Sequence, residues 1–183
     1  MKWIITKLNL GIDIDGCLNK LYLPLARLIK KYYHVEVDIT HYDIWEQLNI
    51  TQKERNEFME KHEKEMNVPV EKDCQFYLRK LSKKYNLYII TARPYNYALQ
   101  TIKWLKKNRI PYDDILFKAG LKVDACKYMK TAYMIDDSPW NIRYLNKERL
   151  NCLVFDRPYN KRIKDTEFIT RVKNWKEIYQ LIF

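Results

Sequence analysis

Four short groups of polar residues in this 183-residue sequence carry the side chains that phosphoryl-transfer chemistry requires. In chain order they are Asp13 with Asp15, then Thr91, then Lys122, then Asp136 with Asp137. Hydrolysis of a phosphate monoester is extremely slow without a catalyst. Catalysis requires an in-line nucleophile, cations that shield the phosphate charge and donors that hold its oxygens. The four groups supply carboxylates, a hydroxyl and an ammonium, so we interpret them as one candidate site.

The carboxylates of this candidate site predict a bound divalent cation. Several carboxylates placed together would repel one another unless a cation lay among them, and Mg²⁺ prefers oxygen ligands in sites with few carboxylates. Asp13 is predicted to bind the metal with one oxygen and to attack phosphorus with the other. Asp15 is predicted to protonate the leaving oxygen and later to take a proton from the hydrolytic water.

Donors for the phosphoryl oxygens are predicted at the Thr91 hydroxyl, the backbone N–H groups around Ala92 and the Lys122 ammonium. Each group also has an ordinary alternative role. A threonine after a strand often caps a helix, Lys122 could be a solvated lysine with Lys118 in its place, and residues 136–138 could simply begin a helix. The groups occur together in one sequence, and each lies at the end of a predicted strand or in the loop beyond it. This joint occurrence favours the catalytic interpretation.

Strands and helices alternate from about residue 73 onwards, a pattern that predicts an α/β fold with a parallel sheet covered by helices on both faces. Strands are predicted at residues 3–13, 87–90, 115–117, 132–135 and 152–155. Helices are predicted at residues 74–85, 98–105, 123–129 and 175–182, with another between the last two strands. The four polar groups follow strands or lie in loops beyond them, so a parallel sheet would bring them to one edge.

Residues 18–72 interrupt this alternation because they are predicted to be mainly helical. Apolar residues recur with helical spacing from Leu21, and Thr51 with Glu54 forms a capping box that begins a second, highly charged helix. An insertion directly after the first strand overhangs the edge at which parallel sheets bind ligands. We therefore predict a core formed by residues 1–17 and 73–183 and a small helical cap formed by residues 18–72.

The formal net charge of +11 has two interpretations. It could attract an anionic partner such as a nucleotide, a nucleic acid or a membrane surface, or it could reflect lysines spread over solvated faces. The basic residues occur in scattered short pairs and form no long basic block or recognisable nucleic-acid module. We favour the second interpretation, with nucleic acid as a less favoured partner and no membrane partner.

The four cysteines predict a reducing environment. They include no CxxC pair and make no zinc-binding spacing with the three histidines. The sequence begins without the apolar core and small-residue cleavage site of a signal peptide, and no apolar run is long enough to span a membrane. We therefore expect reduced cysteines and a cytoplasmic protein, while the sequence gives no indication of the oligomeric state.

The ordered set of motifs resembles that of phosphatases of the haloacid dehalogenase superfamily. In that pattern a DxD motif ends the first strand, a Thr or Ser ends the second, a Lys follows, and an acidic pair ends the fourth. Lys122 precedes Asp136 by 14 residues, and this spacing favours it over the competing lysine. The resemblance implies a Rossmann-like core with a small helical cap after the first strand. It also implies magnesium ligation by Asp13, the backbone carbonyl of Asp15 and Asp136, with Asp137 as a further candidate ligand.

Four further segments are similar to the 5′-nucleotidase and deoxyribonucleotidase branch of this superfamily and to its bacterial and phage relatives. They are residues 11–16, 42–43, 110–112 and 155–160. The resemblance implies hydrolysis of a small phosphate ester, namely a nucleoside monophosphate. The alternatives are a phosphatase for sugar phosphates or nucleic-acid ends, or a non-catalytic binding protein on the same fold. Cys17 departs from the pattern, because family members often carry Thr or Val there.

Contacts to the substrate are predicted mainly from the cap. Tyr22, Tyr42 and Trp45 could stack on a nucleobase, or Tyr42 and Trp45 could pack the cap against the core. Arg93 and Arg157 could contact the phosphate or sugar of the substrate, or they could pair with neighbouring carboxylates. The sequence leaves both pairs of alternatives open.

Overall fold

The computed structural model describes residues 6–66 and 68–183, and it contains one six-stranded sheet within those ranges. Its strands are β1 (Leu8–Ile12), β2 (Tyr85–Ile90), β3 (Asp114–Leu116), β4 (Thr131–Asp136), β5 (Cys152–Phe155) and β6 (Ile169–Val172). All neighbouring strands are parallel, in the order β3-β2-β1-β4-β5-β6. Strands β1 and β4 are therefore neighbours at the centre of the sheet, with β2 and β3 beside β1 and with β5 and β6 beside β4. The crevice beyond the carboxyl ends of β1 and β4 is the switch point at which such sheets bind ligands.

Helices cover both faces of this sheet, which confirms the predicted α/β fold. They are α1 (Tyr22–Tyr33), α2 (Gln52–Met66), α3 (Cys74–Leu81), α4 (Ala98–Lys107), α5 (Lys122–Tyr128), α6 (Pro139–Lys147) and α7 (Trp175–Ile182). On β4, Ile135 packs in the apolar cluster with α3 and α7, whereas Met134 packs in the cluster with α5 and α6. Successive strand side chains point to opposite faces, so both layers bury apolar surface. Within the described ranges, every helix is too short or too polar to cross a lipid bilayer.

Two elements differ from the sequence-based prediction. Tyr85, expected at the end of a helix, is the first residue of β2, and its buried ring places the hydroxyl 2.6 Å from the Ile182 carbonyl, to which it donates a hydrogen bond. This tertiary contact outweighs the helical spacing of the preceding residues. Strand β6 is absent from the prediction because only two of its four residues are apolar. Residues 3–5 of the predicted first strand lie outside the described residues.

The segment between β1 and α3 has an apolar cluster of its own. Leu28 and Ile29 of α1 and Phe58 of α2 pack with Trp45, which lies in a 3₁₀ turn at Ile44–Gln47. The predicted capping box is present, because the Thr51 N–H donates to Glu54 at 2.7 Å and the Glu54 N–H donates to the Thr51 hydroxyl at 3.3 Å. The division into a core and a cap at residues 18–72 stays a prediction.

Candidate active site

Three strands deliver the predicted polar residues to one edge of the sheet. Asp13 directly follows β1, and its N–H donates to the Ile135 carbonyl at 3.0 Å. Thr91 directly follows β2, and Asp136 is the last residue of β4. A cavity of about 620 Å³ opens at this edge. Its lining includes these predicted residues: Asp13, Asp15, Tyr42, Trp45, Thr91, Ala92, Arg93, Lys122 and Asp137.

Lys122 is buried at the centre of the acidic residues. Only 1% of its surface is exposed, and its ammonium lies 2.7 Å from Asp13 Oδ1 and 3.0 Å from Asp136 Oδ2. Burial opposes ionisation, but the two carboxylates prevail and raise the pKa of Lys122 well above its usual value. Lys118, the alternative in the sequence, is exposed. The ammonium can therefore hold the Asp13 carboxylate and contact a phosphoryl oxygen beside it.

Negative charge exceeds positive charge around Asp13. Burial, together with the nearby Asp136 and Asp15, raises the pKa of Asp13 to about 7 despite the opposing effect of Lys122. Burial, together with Asp13 and Asp136, raises the pKa of Asp137 well above its usual value. One lysine does not offset these carboxylates, so the site favours an additional cation.

The two members of the acidic pair have different environments. Asp136 Oδ1 accepts a hydrogen bond from the Ser138 N–H at 2.8 Å, and Oδ2 accepts from Asn141 at 3.2 Å and from Lys122. Asp137 Oδ2 accepts from the Tyr159 hydroxyl, whereas Oδ1 is buried and has no hydrogen-bond partner within the described residues. The resemblance implied a metal ligand at Asp136, with Asp137 as a further candidate, and both assignments stay predictions. Of the two residues, Asp137 is the one with an oxygen that accepts no hydrogen bond within the described residues.

The residues around Asp137 Oδ1 fit a divalent cation. Ligand atoms of Asp13, Cys17 and Asp137 lie within 4.8 Å of one another. Gly16 lies between them in the chain with φ +84°, and a Cβ atom there would overlap the Asp137 carboxylate. Glycine is therefore required both for the backbone conformation and for the close approach of this carboxylate. A buried carboxylate oxygen without a donor, in a site with excess negative charge, is a suitable ligand for a hard cation.

Two side chains donate three hydrogen bonds to the Asp15 carboxylate. Arg93 contacts Oδ2 through Nε at 2.7 Å and Oδ1 through Nη2 at 2.6 Å, and Asn19 donates to Oδ1 at 3.0 Å. Although burial opposes ionisation, the Arg93 charge and these hydrogen bonds lower the pKa of Asp15. Arg93 also donates to the Thr101 hydroxyl at 3.1 Å. Of the alternatives left open by the sequence, Arg93 pairs with a neighbouring carboxylate.

Thr91 and Ala92 form the wall of the cavity beyond β2. The Thr91 side chain is buried, and its hydroxyl accepts a hydrogen bond from the Arg93 N–H at 3.2 Å. The Thr91 N–H donates a hydrogen bond to the Leu116 carbonyl of β3 at 3.0 Å, which fixes the end of β2. The hydroxyl lines the cavity and can donate to a phosphoryl oxygen there.

The segment 157–160 braces the site from β5, a role that the sequence-based prediction missed. Arg157 donates to the Gly16 carbonyl at 2.7 Å and to Glu71 at 2.6 Å. The Tyr159 hydroxyl donates to the Asp137 carboxylate, and the Asn160 amide donates to the Asp137 carbonyl at 2.9 Å. From the sequence, this segment was part of a family likeness, and Arg157 was left open as a substrate contact or a partner of a carboxylate; in the structure it pairs with Glu71. The Pro-Tyr-Asn turn, which begins three residues after the end of β5, is the local signal that could have indicated a structural role.

Aromatic residues separate into two groups on the cap side of the cavity. Tyr42 is 45% exposed and contacts Tyr159 edge to face at 5.4 Å, and Tyr22 contacts the same ring at 5.7 Å. Trp45 is 6% exposed and packs edge to face on Phe58 at 5.5 Å. Trp45 therefore packs mainly against Phe58 while also lining the cavity, and Tyr42 remains accessible. Their contacts with a substrate stay predictions.

Comparisons with known proteins agree on one family. Residues 7–183 match the family model described as 5′ nucleotidase, deoxy (pyrimidine), cytosolic type C protein. A nucleotidase of Clostridium acetobutylicum is 32% identical over 182 residues, covering 96% of this chain and 94% of its own. A 5′(3′)-deoxyribonucleotidase of the same organism is 26% identical, covering 94% and 93%. A solved haloacid dehalogenase superfamily hydrolase of Geobacter sulfurreducens shares the fold, with a TM-score of 0.61, 11% identity and coverage of 97% and 100%.

Proposed function

Because the chain belongs to the family of cytosolic type C 5′-nucleotidases and is a phosphoric monoester hydrolase, we propose a reaction mechanism and a substrate class for it. We propose that it is a magnesium-dependent nucleotidase that hydrolyses (deoxy)nucleoside 5′-monophosphates through an aspartyl-phosphate on Asp13. The observation that carries this proposal is the contact of Lys122 with Asp13 at 2.7 Å inside the cavity that Asp15 and Thr91 also line. A nucleophile, an acid–base group and phosphate donors then surround one space.

Asp13 supplies the nucleophilic oxygen in this proposal. An Asp13 oxygen forms a bond to phosphorus as the bond from phosphorus to the nucleoside oxygen breaks. Asp15 acts in its protonated form at this step, which Arg93 disfavours by lowering the pKa of Asp15, and it gives its proton to the leaving oxygen as the nucleoside departs. Asp15 then takes a proton from water, which attacks phosphorus and releases inorganic phosphate and free Asp13. Arg93 fixes the orientation of the Asp15 carboxylate through its two contacts.

Asp13 and Asp137 are the residues that would hold Mg²⁺, together with the backbone at Asp15 that the resemblance implies. When bound, Mg²⁺ shields the negative charge of the phosphate from the surrounding carboxylates. Asp136 has a different task, because both of its oxygens hold donors and one of those donors is Lys122. Asp136 thus keeps the lysine beside Asp13.

The cavity supports a small substrate rather than a polymer. Its volume of about 620 Å³ lies within the range of roughly 300–1,000 Å³ that small-molecule sites occupy. Beyond the polar edge it is lined by apolar and aromatic side chains such as Met59, Val68 and Trp104. These surfaces suit a nucleoside, and Tyr42 offers an accessible ring for a base. A cytoplasmic location stays a prediction from the unpaired cysteines.

The test is a phosphate-release assay with a panel of substrates. We expect turnover of 5′-mononucleotides with Mg²⁺, loss of turnover with a chelator, and weaker turnover of sugar phosphates and 5′-phosphorylated oligonucleotides. Asp13→Asn should lower turnover at least about a thousandfold. Asp124→Asn is the matched control, because Asp124 is exposed on α5, and it should behave as wild type.

Two further results decide between the alternatives. Borohydride reduction of the protein during turnover, followed by mass spectrometry, should find the modification of an acyl phosphate at Asp13. Retained activity in Asp13→Asn, or modification at another residue, would refute the proposed nucleophile. Preference for oligonucleotides, with strong salt dependence, would instead indicate an enzyme of nucleic-acid ends.

A further inference from the structure

A thiol lies among the carboxylates of the candidate active site. Cys17 is fully buried, and its Sγ lies within 4.8 Å of carboxylate oxygens of both Asp13 and Asp137. The second, independent observation is the Asp137 side chain, which is 1% exposed and whose Oδ1 has no hydrogen-bond partner within the described residues. One sulfur and two carboxylates therefore lie close together, and one of these carboxylates has an oxygen that accepts no hydrogen bond within the described residues.

This set of atoms distinguishes between classes of cation. Mg²⁺ is a hard ion that takes oxygen ligands, so it gains nothing from the sulfur. Zn²⁺ and Cd²⁺ accept thiolate together with carboxylate ligands, and thiolate ligands select for such softer ions. The position of Cys17 next to Gly16, which allows the close approach of Asp137, brings the sulfur to the same centre.

We infer that Asp13, Cys17 and Asp137 form a site for a thiophilic divalent cation, which competes with Mg²⁺ at the same centre. This inference rests on the proposed function, because it concerns the cation centre proposed there. On binding, the Cys17 thiol loses its proton to the solvent as the sulfur–metal bond forms. The cation then engages Asp13, the proposed nucleophile, so Zn²⁺ inhibits an enzyme that Mg²⁺ supports.

Cadmium is the probe that tests this inference directly. Metal-free protein is titrated with Cd²⁺, and the ultraviolet charge-transfer absorption of a cadmium–thiolate bond is recorded. We expect one equivalent of Cd²⁺ to produce this band and excess Mg²⁺ to diminish it. Cys17→Ser should abolish the band and weaken Cd²⁺ binding at least about tenfold, since a soft ligand is replaced by a hard one. Asp137→Asn should also weaken Cd²⁺ binding.

Cys126→Ser is the matched control, because Cys17 and Cys126 are both buried in apolar clusters, but only Cys17 lies in the group with Asp13 and Asp137. Its band and affinity should equal those of wild type. X-ray absorption of the cadmium-bound wild-type protein needs no variant and should find one sulfur ligand with oxygen ligands. A wild-type protein without a sulfur ligand, or a band that survives Cys17→Ser and is lost in Cys126→Ser, would overturn the inference. Phosphate release with Mg²⁺ is measured separately on the wild-type protein. Failure of the cadmium experiment can therefore be distinguished from failure of the proposed function.

Discussion

The buried ion pair between Arg157 and Glu71 connects the end of the predicted cap to the core, and its removal has a calculable effect. Their side chains are 6% and 7% exposed and 2.6 Å apart. Removing one partner of such a pair costs roughly 3–5 kcal/mol, because a buried charge loses its partner. Lys20, itself 38% exposed, lies 3.4 Å from Glu71 and offsets part of that loss. We therefore expect Arg157→Met to lower the free energy of unfolding by about 3 kcal/mol.

A double-mutant cycle separates this charge effect from packing. Glu71→Leu should lower the free energy of unfolding by a similar amount, while the double variant should recover at least about 2 kcal/mol of the summed loss, since no buried charge remains. The free energies are measured by urea unfolding. Lys127→Met is the control, because its pair with Glu148 is 51% and 38% exposed, and it should cost less than about 1 kcal/mol.

Turnover of the same variants gives a second measurement, which reports on the contacts of Arg157 independently of stability. The Gly16 carbonyl accepts from Arg157 at 2.7 Å, and this contact is missing in the double variant as well. We therefore expect turnover of the double variant to stay low even though its stability recovers. Additive losses in the cycle, or a loss in Arg157→Met as small as that in Lys127→Met, would refute the reasoning.

Three further substitutions test the site. Lys122→Met should lower turnover at least about a hundredfold. It should also lower the free energy of unfolding, measured in urea, by about 3–5 kcal/mol, because Asp13 and Asp136 lose their buried cation. Unchanged turnover together with unchanged stability would contradict the contacts of Lys122. Gly16→Ala should lower the thermal unfolding temperature and the turnover, because its Cβ would overlap Asp137, whereas Gly120→Ala, with open space around its Cβ, should resemble wild type. Asp15→Asn should impair hydrolysis of nucleotides more than that of an activated aryl phosphate; equal losses for both substrates would exclude the acid role.

The strands that position the site were predictable because their apolar runs are local features of the sequence. Residues 87–90 and 132–135 read as buried strands, and the structure has β2 and β4 over them. The polar residues directly after these runs had to meet at one edge, since parallel strands share their carboxyl edge. The β6 strand was missed because its only two apolar residues, Ile169 and Val172, pack in different apolar clusters, and this short ITRV segment gives no strand periodicity of its own.

The division of labour within the acidic pair was not predictable from the sequence. Asp136 and Asp137 are adjacent and chemically identical, so composition and spacing treat them alike. Their difference arises from the partners that the fold brings to each carboxylate. Lys122 and Asn141 contact Oδ2 of Asp136 and the Ser138 N–H donates to its Oδ1, while Tyr159 occupies only one oxygen of Asp137. Our proposal of Asp137 as a cation ligand depends on the oxygen that has no hydrogen-bond partner within the described residues, and that is a property of the folded site.

The same reasoning explains why the segment 157–160 matters more than its sequence indicates. Arg157 reaches Gly16 across 141 residues of chain and Glu71 across 86. Tyr159 reaches Asp137 across 22 residues. One loop thus fixes the backbone beside the proposed nucleophile, the acidic residue proposed to hold the cation, and the segment that returns from the predicted cap.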